Sequence, residues 1–298
     1  MDKLLLISGP TASGKTSLAL KLAKKYNGVL ISADSRQIYQ GLDIGTGKDK
    51  PKATTIHLLD LITPDQSFSV AQYQKLALPL IKKIQSKGKL PILVGGTGQY
   101  FDSVINPHKD TFHIKPKKIL RKILNSLPTS FLQTILKTIN RSLYLSLNNS
   151  EKNNPHRLIR KIEISLSFPR PVTHQAPTQH HYLHISLTAP NHYLYQRIDS
   201  RVKSRLDQGL QKEISTLLKT YSWSSPGLDT LAYKDLRPYF DGKDSLESCV
   251  KKWSYKEHSY AKRQKTWFKK MPHTHFIDIS LSDPLKESLT LLNHYLSK

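Results

Sequence analysis

The chain of 298 residues carries 46 lysines and arginines against 22 aspartates and glutamates, a formal net charge of +24. Its apolar runs, such as residues 4–7 and 90–94, are far shorter than the roughly 20 residues that cross a bilayer, so we expect no membrane partner. A single cysteine excludes an internal disulfide and a thiolate-rich zinc site. Because the N-terminus also lacks the apolar core of a signal peptide, we expect a cytoplasmic location.

The positive excess has two interpretations. Such an excess is not needed for folding and causes self-repulsion, which favours a polyanionic partner, nucleic acid before anionic lipid. A lysine-rich composition that only solvates the surface would give the same charge. Charge alone does not decide between them.

The first hundred residues have the pattern of an α/β sheet. Apolar runs bounded by turn residues, typical of buried parallel strands, occur at 3–7, 29–33 and 90–94. Residues 16–26 place leucines and alanines on one helical face between the first two runs. Strand, helix and strand predict a right-handed crossover unit.

The rest of the chain predicts mainly helices. Leucines and isoleucines at helical spacing predict helices from about 106 to 154, and the prolines of 169–177 indicate a linker. Residues 182–187 alternate as a strand does, and long helices are predicted at 193–221 and 245–270.

These elements predict an α/β fold, a P-loop NTPase-like parallel sheet with a helical insertion domain. Residues 1–105 and 182–298 would form the core with its C-terminal helices. Residues 106–181 would form the insertion and linker.

A phosphate-loop pattern, glycine followed by four residues and Gly-Lys-Thr, is formed by Gly9, Pro10, Thr11, Ala12, Ser13, Gly14, Lys15 and Thr16. It lies between a predicted strand and a predicted helix, where backbone amides and the helix N-terminus can surround a diphosphate. Lys15 adds a positive charge, and the Thr16 hydroxyl is a candidate ligand for Mg²⁺. A chance glycine turn before a helix is the alternative, which the full match disfavours.

Asp34 ends the second apolar run, and Gly95, Gly96 and Thr97 follow the third. Because the carboxyl ends of parallel strands share one edge of a sheet, we expect these residues to lie near the phosphate loop. Taken alone, Asp34 is compatible with catalysis, with a helix N-cap and with a further magnesium ligand.

Four blocks resemble, in order, the tRNA dimethylallyltransferase (tRNA isopentenyltransferase) family of bacterial type: GPTASGKT (9–16), ISADSRQIYQGLDIGTGK (31–48), LPILVGGTGQY (90–100) and YAKRQKTWF (260–268). The resemblance implies magnesium-dependent transfer of the dimethylallyl group of dimethylallyl diphosphate to tRNA. The acceptor would be the exocyclic amine of the adenine immediately 3′ of the anticodon, giving N6-isopentenyladenosine. It further implies that the protein binds the anticodon stem-loop, and we expect a monomer.

The resemblance also implies roles for individual residues. Asp34 matches the general base, and Thr11, Lys15 and Arg201 match catalytic contacts to the diphosphate. Thr16 matches the contact to magnesium. The positions that match tRNA-binding segments are Asp34, Ser35, Arg36, Gln37, Thr97, His156, Arg157, Leu158, Ile159 and Arg160.

Two other classes of function share some of these features. A P-loop nucleotide or small-molecule kinase would share the phosphate loop, but beyond Asp34 we find no apolar run that ends in the aspartate such enzymes use. A non-catalytic RNA-binding protein is disfavoured because Lys15, Thr16 and Asp34 are intact.

The predicted helix at 245–270 carries Trp253, Tyr260 and Trp267 at intervals of seven residues. This spacing is more typical of a stripe that faces a core than of aromatic rings that stack on bases. We expect the lysines of the same helix to face RNA phosphates.

Overall fold

The computed structural model describes residues 3–48, 54–107, 114, 117–167 and 181–297. It divides into two compact units, the first formed by Met1–Ile105 with Gln179–Lys298 and the second by Asn106–Thr178. Each unit has its own apolar core. The predicted linker at 169–177 lies outside the described residues.

A six-stranded parallel sheet forms the centre of the first unit. Its strands are β1 (Leu4–Ser8), β2 (Gly28–Ser32), β3 (Ile56–His57), β4 (Leu90–Val94), β5 (Tyr182–Thr188) and β6 (Thr274–Asp278). They lie in the order β3-β2-β4-β1-β5-β6, and every neighbouring pair is parallel. The predicted α/β class and the four predicted strands are confirmed, whereas β3 and β6 were not predicted.

Helices pack on the sheet and also form the second unit. In chain order they are α1 (Lys15–Lys25), α2 (Val70–Ser86), α3 (Gly98–Ile105), α4 (Lys118–Asn125), α5 (Thr129–Ile139), α6 (Arg141–Ser146), α7 (Asn149–Lys152), α8 (Pro155–Ser165), α9 (Asn191–Asp207), α10 (Leu210–Leu218), α11 (Leu231–Phe240), α12 (Leu246–Phe268) and α13 (Pro284–Ser297). None of these described helices is long and apolar enough to span a bilayer.

The central strand β1 is buried on both faces, which explains its uninterrupted apolar sequence. Leu5 and Ile7 point to one face and pack with α1 and α13. Leu4 and Leu6 point to the other face and pack with α2 and α3. The sheet is therefore covered on both sides, and its strand ends are left to form a site.

The helix predicted at 193–221 is two helices, α9 and α10. Gly209 separates them with a left-handed backbone, φ +96°. Glycine adopts this conformation without the steric penalty that other residues incur, so the chain turns there. By contrast, α12 runs within one or two residues of its predicted bounds.

The second unit consists of α4 to α8 around buried leucines and isoleucines, including Leu132 and Leu136. Its buried carboxylate, Glu163, accepts hydrogen bonds from Nε and Nη2 of Arg121, both at 2.7 Å, and from Nη1 of Arg160 at 3.2 Å. Burial alone would raise the pKa of Glu163, but these bonds and one from the Lys117 amide lower it.

Candidate active site

Three loops meet at the carboxyl ends of β1, β4 and β2, which are neighbours in the sheet. The phosphate loop follows β1, the Gly95-Gly96-Thr97 segment follows β4, and Asp34 follows β2. The Gly95 amide donates to the Ile7 carbonyl at 3.2 Å, and the Thr97 amide donates to the Ala33 carbonyl at 3.1 Å. Parallel pairing thus brings together residues far apart in sequence.

The phosphate loop turns sharply into α1. Gly9 has φ +145°, and a Cβ there would lie 2.6 Å from the Leu187 carbonyl oxygen, so only glycine fits. Gly14 ends the loop with φ +86° and offers no side-chain cap to the first amides of α1. Uncapped amides at a helix N-terminus are suited to bind an anion. Ser13 Oγ is buried, with no hydrogen-bond partner among the described residues.

A cavity of about 270 Å³ opens where the three loops meet. It is lined by Thr11, Lys15, Thr16, Asp34, Arg36, Gln37, Gly95, Arg201, Arg205, Asp229, Glu257, Tyr260, Arg263 and Gln264, among others. Five of these lining side chains are basic and three are acidic. The excess of positive charge favours an anionic substrate.

Asp34 is half-buried in a turn and lines this cavity. Its Oδ1 accepts a hydrogen bond from the Arg36 amide at 2.9 Å. No helix begins at this turn among the described residues, so Asp34 is not a helix N-cap. Burial first, and then the charge of Asp34, raise the pKa of the Tyr100 and Tyr260 hydroxyls, which keeps both protonated at neutral pH.

The segment after Asp34 is fixed to its neighbours. Thr97 Oγ1 accepts from the Ser35 amide at 2.9 Å and donates to Ser35 Oγ at 3.2 Å. Gln37 Nε2 donates to the Gly47 carbonyl at 3.2 Å, whereas Arg36 is exposed. Four of the predicted RNA-contacting positions, Ser35, Arg36, Gln37 and Thr97, therefore lie beside Asp34.

Arg201 reaches the phosphate loop from α9. Its Nη1 donates to Thr11 Oγ1 at 3.3 Å, and its Nη2 donates to the Gly47 carbonyl at 3.1 Å. Thr11, Lys15, Thr16, Asp34 and Arg201, which the sequence singled out, all line the one cavity.

The loop that contains Gly47 is held by a carboxylate on α10. Glu213 Oε2 accepts from the amides of Asp43 and Ile44 at 3.0 and 2.7 Å. Its Oε1 accepts from the Gly45 amide at 3.0 Å and from the Tyr233 hydroxyl at 2.6 Å. A second pocket, of about 330 Å³, lies beside Glu213. Glu213 is the acidic residue of its lining, and both oxygens of that carboxylate already accept the hydrogen bonds described above. The cavity beside Asp34 is therefore the candidate active site.

Sequence reasoning missed Gln264 on α12. It is 5% exposed; its Oε1 accepts from the Thr11 amide at 2.8 Å, and its Nε2 donates to the Gly96 carbonyl at 3.0 Å. It joins two of the three site loops. The block 260–268 contained this residue, but no pattern in the sequence showed which way it faces.

The aromatic stripe of α12 divides into three environments. Trp253 is fully buried, which confirms the core prediction for that residue. Tyr260 instead lines the cavity, so the core prediction is wrong there. Trp267 is 39% exposed and lies so close to Gly98 that a Cβ at that glycine would overlap its indole ring.

Comparison with known proteins identifies the group to which this architecture belongs. A family model described as IPP transferase matches residues 37–271. The chain belongs to the IPP transferase family. Relatives named tRNA dimethylallyltransferase include those of Roseiflexus sp. (strain RS-1), 36% identical over 99% of both chains, and of Acetivibrio thermocellus, 38% identical over 100% of this chain and 98% of the relative. The resemblance seen in the sequence is confirmed, and this IPP transferase is a prenyl-transferring enzyme.

Solved structures agree with this assignment. The full-length tRNA isopentenylpyrophosphate transferase from Bacillus halodurans is 33% identical and superposes with a TM-score of 0.74, covering 100% of this chain and 96% of that one. A eukaryotic dimethylallyltransferase acting on tRNA is 24% identical, with a TM-score of 0.83 over 99% of this chain and 79% of its own. The second match shows a shared fold.

The remaining predicted positions of this IPP transferase begin α8 in the second unit. Asn154 caps that helix by accepting from the Arg157 amide at 3.0 Å, and His156 and Arg157 are exposed. The prediction of RNA contact is corrected for Leu158 and Ile159, which are 0% and 3% exposed because their side chains form the core of the unit. Arg160 is half-buried and binds Glu163.

Proposed function

We propose that this IPP transferase moves the dimethylallyl group of dimethylallyl diphosphate to the exocyclic amine of the adenine 3′ of a tRNA anticodon, forming N6-isopentenyladenosine. The observation that carries the proposal is that Asp34 and the phosphate loop line one positively charged cavity. The names of the relatives support a tRNA-directed transferase and not the kinase alternative.

The diphosphate departs from an allylic carbon, so negative charge grows on the oxygen that bridges carbon and phosphorus. Preorganised donors aimed at that charge lower the barrier. The loop amides, Lys15 and Arg201 supply such donors from the edge of the sheet. Because Arg201 also donates to Thr11 and Gly47, its guanidinium is held in place before the substrate binds.

The same loop fits a magnesium ion. Thr16, whose side chain carries a hydroxyl, lines the cavity beside Lys15, and the buried Ser13 Oγ lacks a partner among the described residues. Mg²⁺ takes oxygen ligands and is often held by few protein groups together with substrate phosphates. Thr16 would hold the ion, which when bound supplies positive charge to the diphosphate.

Asp34 would act as the general base. An exocyclic adenine amine is a poor nucleophile, and a carboxylate within hydrogen-bond reach can orient it and accept its proton as the new bond forms. The allylic carbon–oxygen bond breaks, the nitrogen–carbon bond forms, and the proton passes from nitrogen to Asp34. The adenine must leave the stack of the anticodon loop to reach the cavity, which requires a few kcal/mol.

Replacing Asp34 tests this assignment. We expect Asp34→Ala to lower the transfer rate by about 10²–10⁴-fold, the usual contribution of a general base, while RNA affinity changes little. The rate is followed by mass spectrometry of nucleosides from tRNA incubated with dimethylallyl diphosphate and Mg²⁺. Asp207→Ala, an exposed aspartate at the end of α9, is the control.

Unchanged turnover of Asp34→Ala would remove this residue from the mechanism. If the wild-type protein formed no prenylated nucleoside but transferred phosphate from ATP, the proposed function itself would be wrong. A monomeric state and a cytoplasmic location remain predictions, to be checked by light scattering and by fractionation of the source cells.

A further inference from the structure

A second guanidinium lies on the wall of the cavity, four residues after Arg201. Residues four apart on a helix share a face, and both Arg201 and Arg205 project from α9 into the same space. Arg205 is only 5% exposed. A charged side chain so deeply buried needs partners for its charge and its donors.

The donors of Arg205 are poorly satisfied. Its Nη1 lies 3.5 Å from Glu257 Oε1, which is long for a hydrogen bond, and that oxygen also accepts from Trp253 Nε1 at 3.1 Å. Its Nε is buried and has no partner among the described residues. Elsewhere in the chain, Arg121 binds its carboxylate with two bonds of 2.7 Å. Pairing with Glu257 alone therefore does not account for Arg205.

The two arginines lie side by side. A Cβ placed on Gly47 would overlap with Nη2 of Arg201 and with Nη2 of Arg205 at once, so these nitrogens are close neighbours. Burial, and then the charge of Arg201, lower the pKa of Arg205 to about 10, which still leaves it cationic at neutral pH. An anion between the two groups would offset their repulsion.

We propose that Arg205 binds the substrate diphosphate together with Arg201, the two guanidinium groups forming one site for its non-bridging phosphoryl oxygens. The planar guanidinium matches phosphate oxygens with parallel N–H donors, which a lysine cannot do. This inference rests on the proposed function. It adds Arg205 to the residues that bind the diphosphate, a role that no sequence motif indicated. Because the charge on the diphosphate grows as it departs, Arg205 would contribute to the rate as well as to binding.

Calorimetric titration of the full chain with inorganic pyrophosphate in the presence of Mg²⁺ tests the inference. Charge-assisted hydrogen bonds are among the strongest in proteins, so we expect Arg205→Gln to weaken binding by about 10- to 100-fold. Lys203→Gln removes the same charge from an exposed position of α9 and should leave affinity unchanged. Affinity of Arg205→Gln within twofold of the wild type would overturn the proposal.

A second variant keeps the test decisive if Arg205→Gln does not fold. Arg205→Lys retains the positive charge beside Glu257 but loses the planar pair of N–H donors. If Arg205 binds the diphosphate through those donors, pyrophosphate affinity should fall severalfold. Affinity equal to that of the wild type in a folded Arg205→Lys variant would refute the proposal.

The prenylation assay tests the transferase function independently of pyrophosphate binding. Wild-type protein that binds pyrophosphate through Arg205 but forms no prenylated nucleoside would contradict the proposed function and leave the paired-arginine site intact. Normal prenylation by the wild type, together with unaltered pyrophosphate binding by Arg205→Gln, would support the proposed function and refute the paired-arginine site.

Discussion

Gln264 is the one described side chain that hydrogen-bonds both the phosphate loop and the Gly96 loop, and removing its amide should weaken both the fold and the chemistry. Gln264→Met keeps nearly the same length and volume but deletes the bonds to the Thr11 amide and the Gly96 carbonyl. The substitution therefore isolates polar contacts from packing.

The expected loss follows from the burial of the two partners. A buried polar group left unpaired raises the free energy of the folded state by about 1–3 kcal/mol. The Gly96 carbonyl belongs to a buried residue, whereas Thr11 faces the cavity, where water can replace the lost acceptor. We therefore expect Gln264→Met to lower the free energy of unfolding by about 1–3 kcal/mol, the contribution of the unpaired Gly96 carbonyl.

The kinetic effect should accompany this loss. Thr11 also receives a hydrogen bond from Arg201, so a shift of its backbone moves two diphosphate contacts together. A loss of about 1.4 kcal/mol in transition-state binding lowers kcat/KM tenfold, and we expect at least that decrease.

Urea denaturation and steady-state prenylation of an anticodon stem-loop RNA measure the two effects. Gln196→Met, an exposed glutamine inside α9, is the matched control and should change neither quantity. Wild-type stability and wild-type kcat/KM in Gln264→Met would refute the assignment of Gln264 as the connection between the loops.

Two further predictions concern buried titratable groups. Burial, and then His275, lower the pKa of His184 to about 4, so its neutral form contributes about 3 kcal/mol of stability above pH 6.5 that is lost as pH falls toward 4. The unfolding free energies of wild type and His184→Gln, compared from pH 7 to 4, should therefore converge; a constant difference would contradict this. Glu163→Gln should destabilise the second unit by about 2 kcal/mol, less than for a fully buried pair because Arg121 is partly exposed. Hydrogen exchange should then quicken in α4 and α8, and unchanged protection there would disprove it.

The sheet and the phosphate loop could be predicted from sequence because their signals are local. A run such as 90–94, bounded by turn residues, indicates a buried strand without any knowledge of its neighbours. The glycine at position 9 and the Gly14-Lys15 step specify a turn whose backbone only a few residue types adopt. Parallel pairing then determines that Asp34 lies at the same edge.

The walls contributed by α9 and α12 could not be predicted in this way. The seven-residue spacing of the aromatic residues identified the face of α12 that points inward. On that face, however, Trp253 packs in an apolar core whereas Tyr260 lines the cavity. That difference depends on where the helix crosses the sheet, a long-range property. Arg205 carried a local signal, its spacing of four from Arg201, which became meaningful only once α9 was placed.

The strand order has a consequence for how the protein is made. Strand β1 emerges first from the ribosome but pairs on one side with β5, which follows the entire insertion in the chain. Arg201 and Gln264 are translated later still. The nascent chain therefore carries an open sheet edge while the helical unit is synthesised, and the cavity is completed only after α12 has been translated.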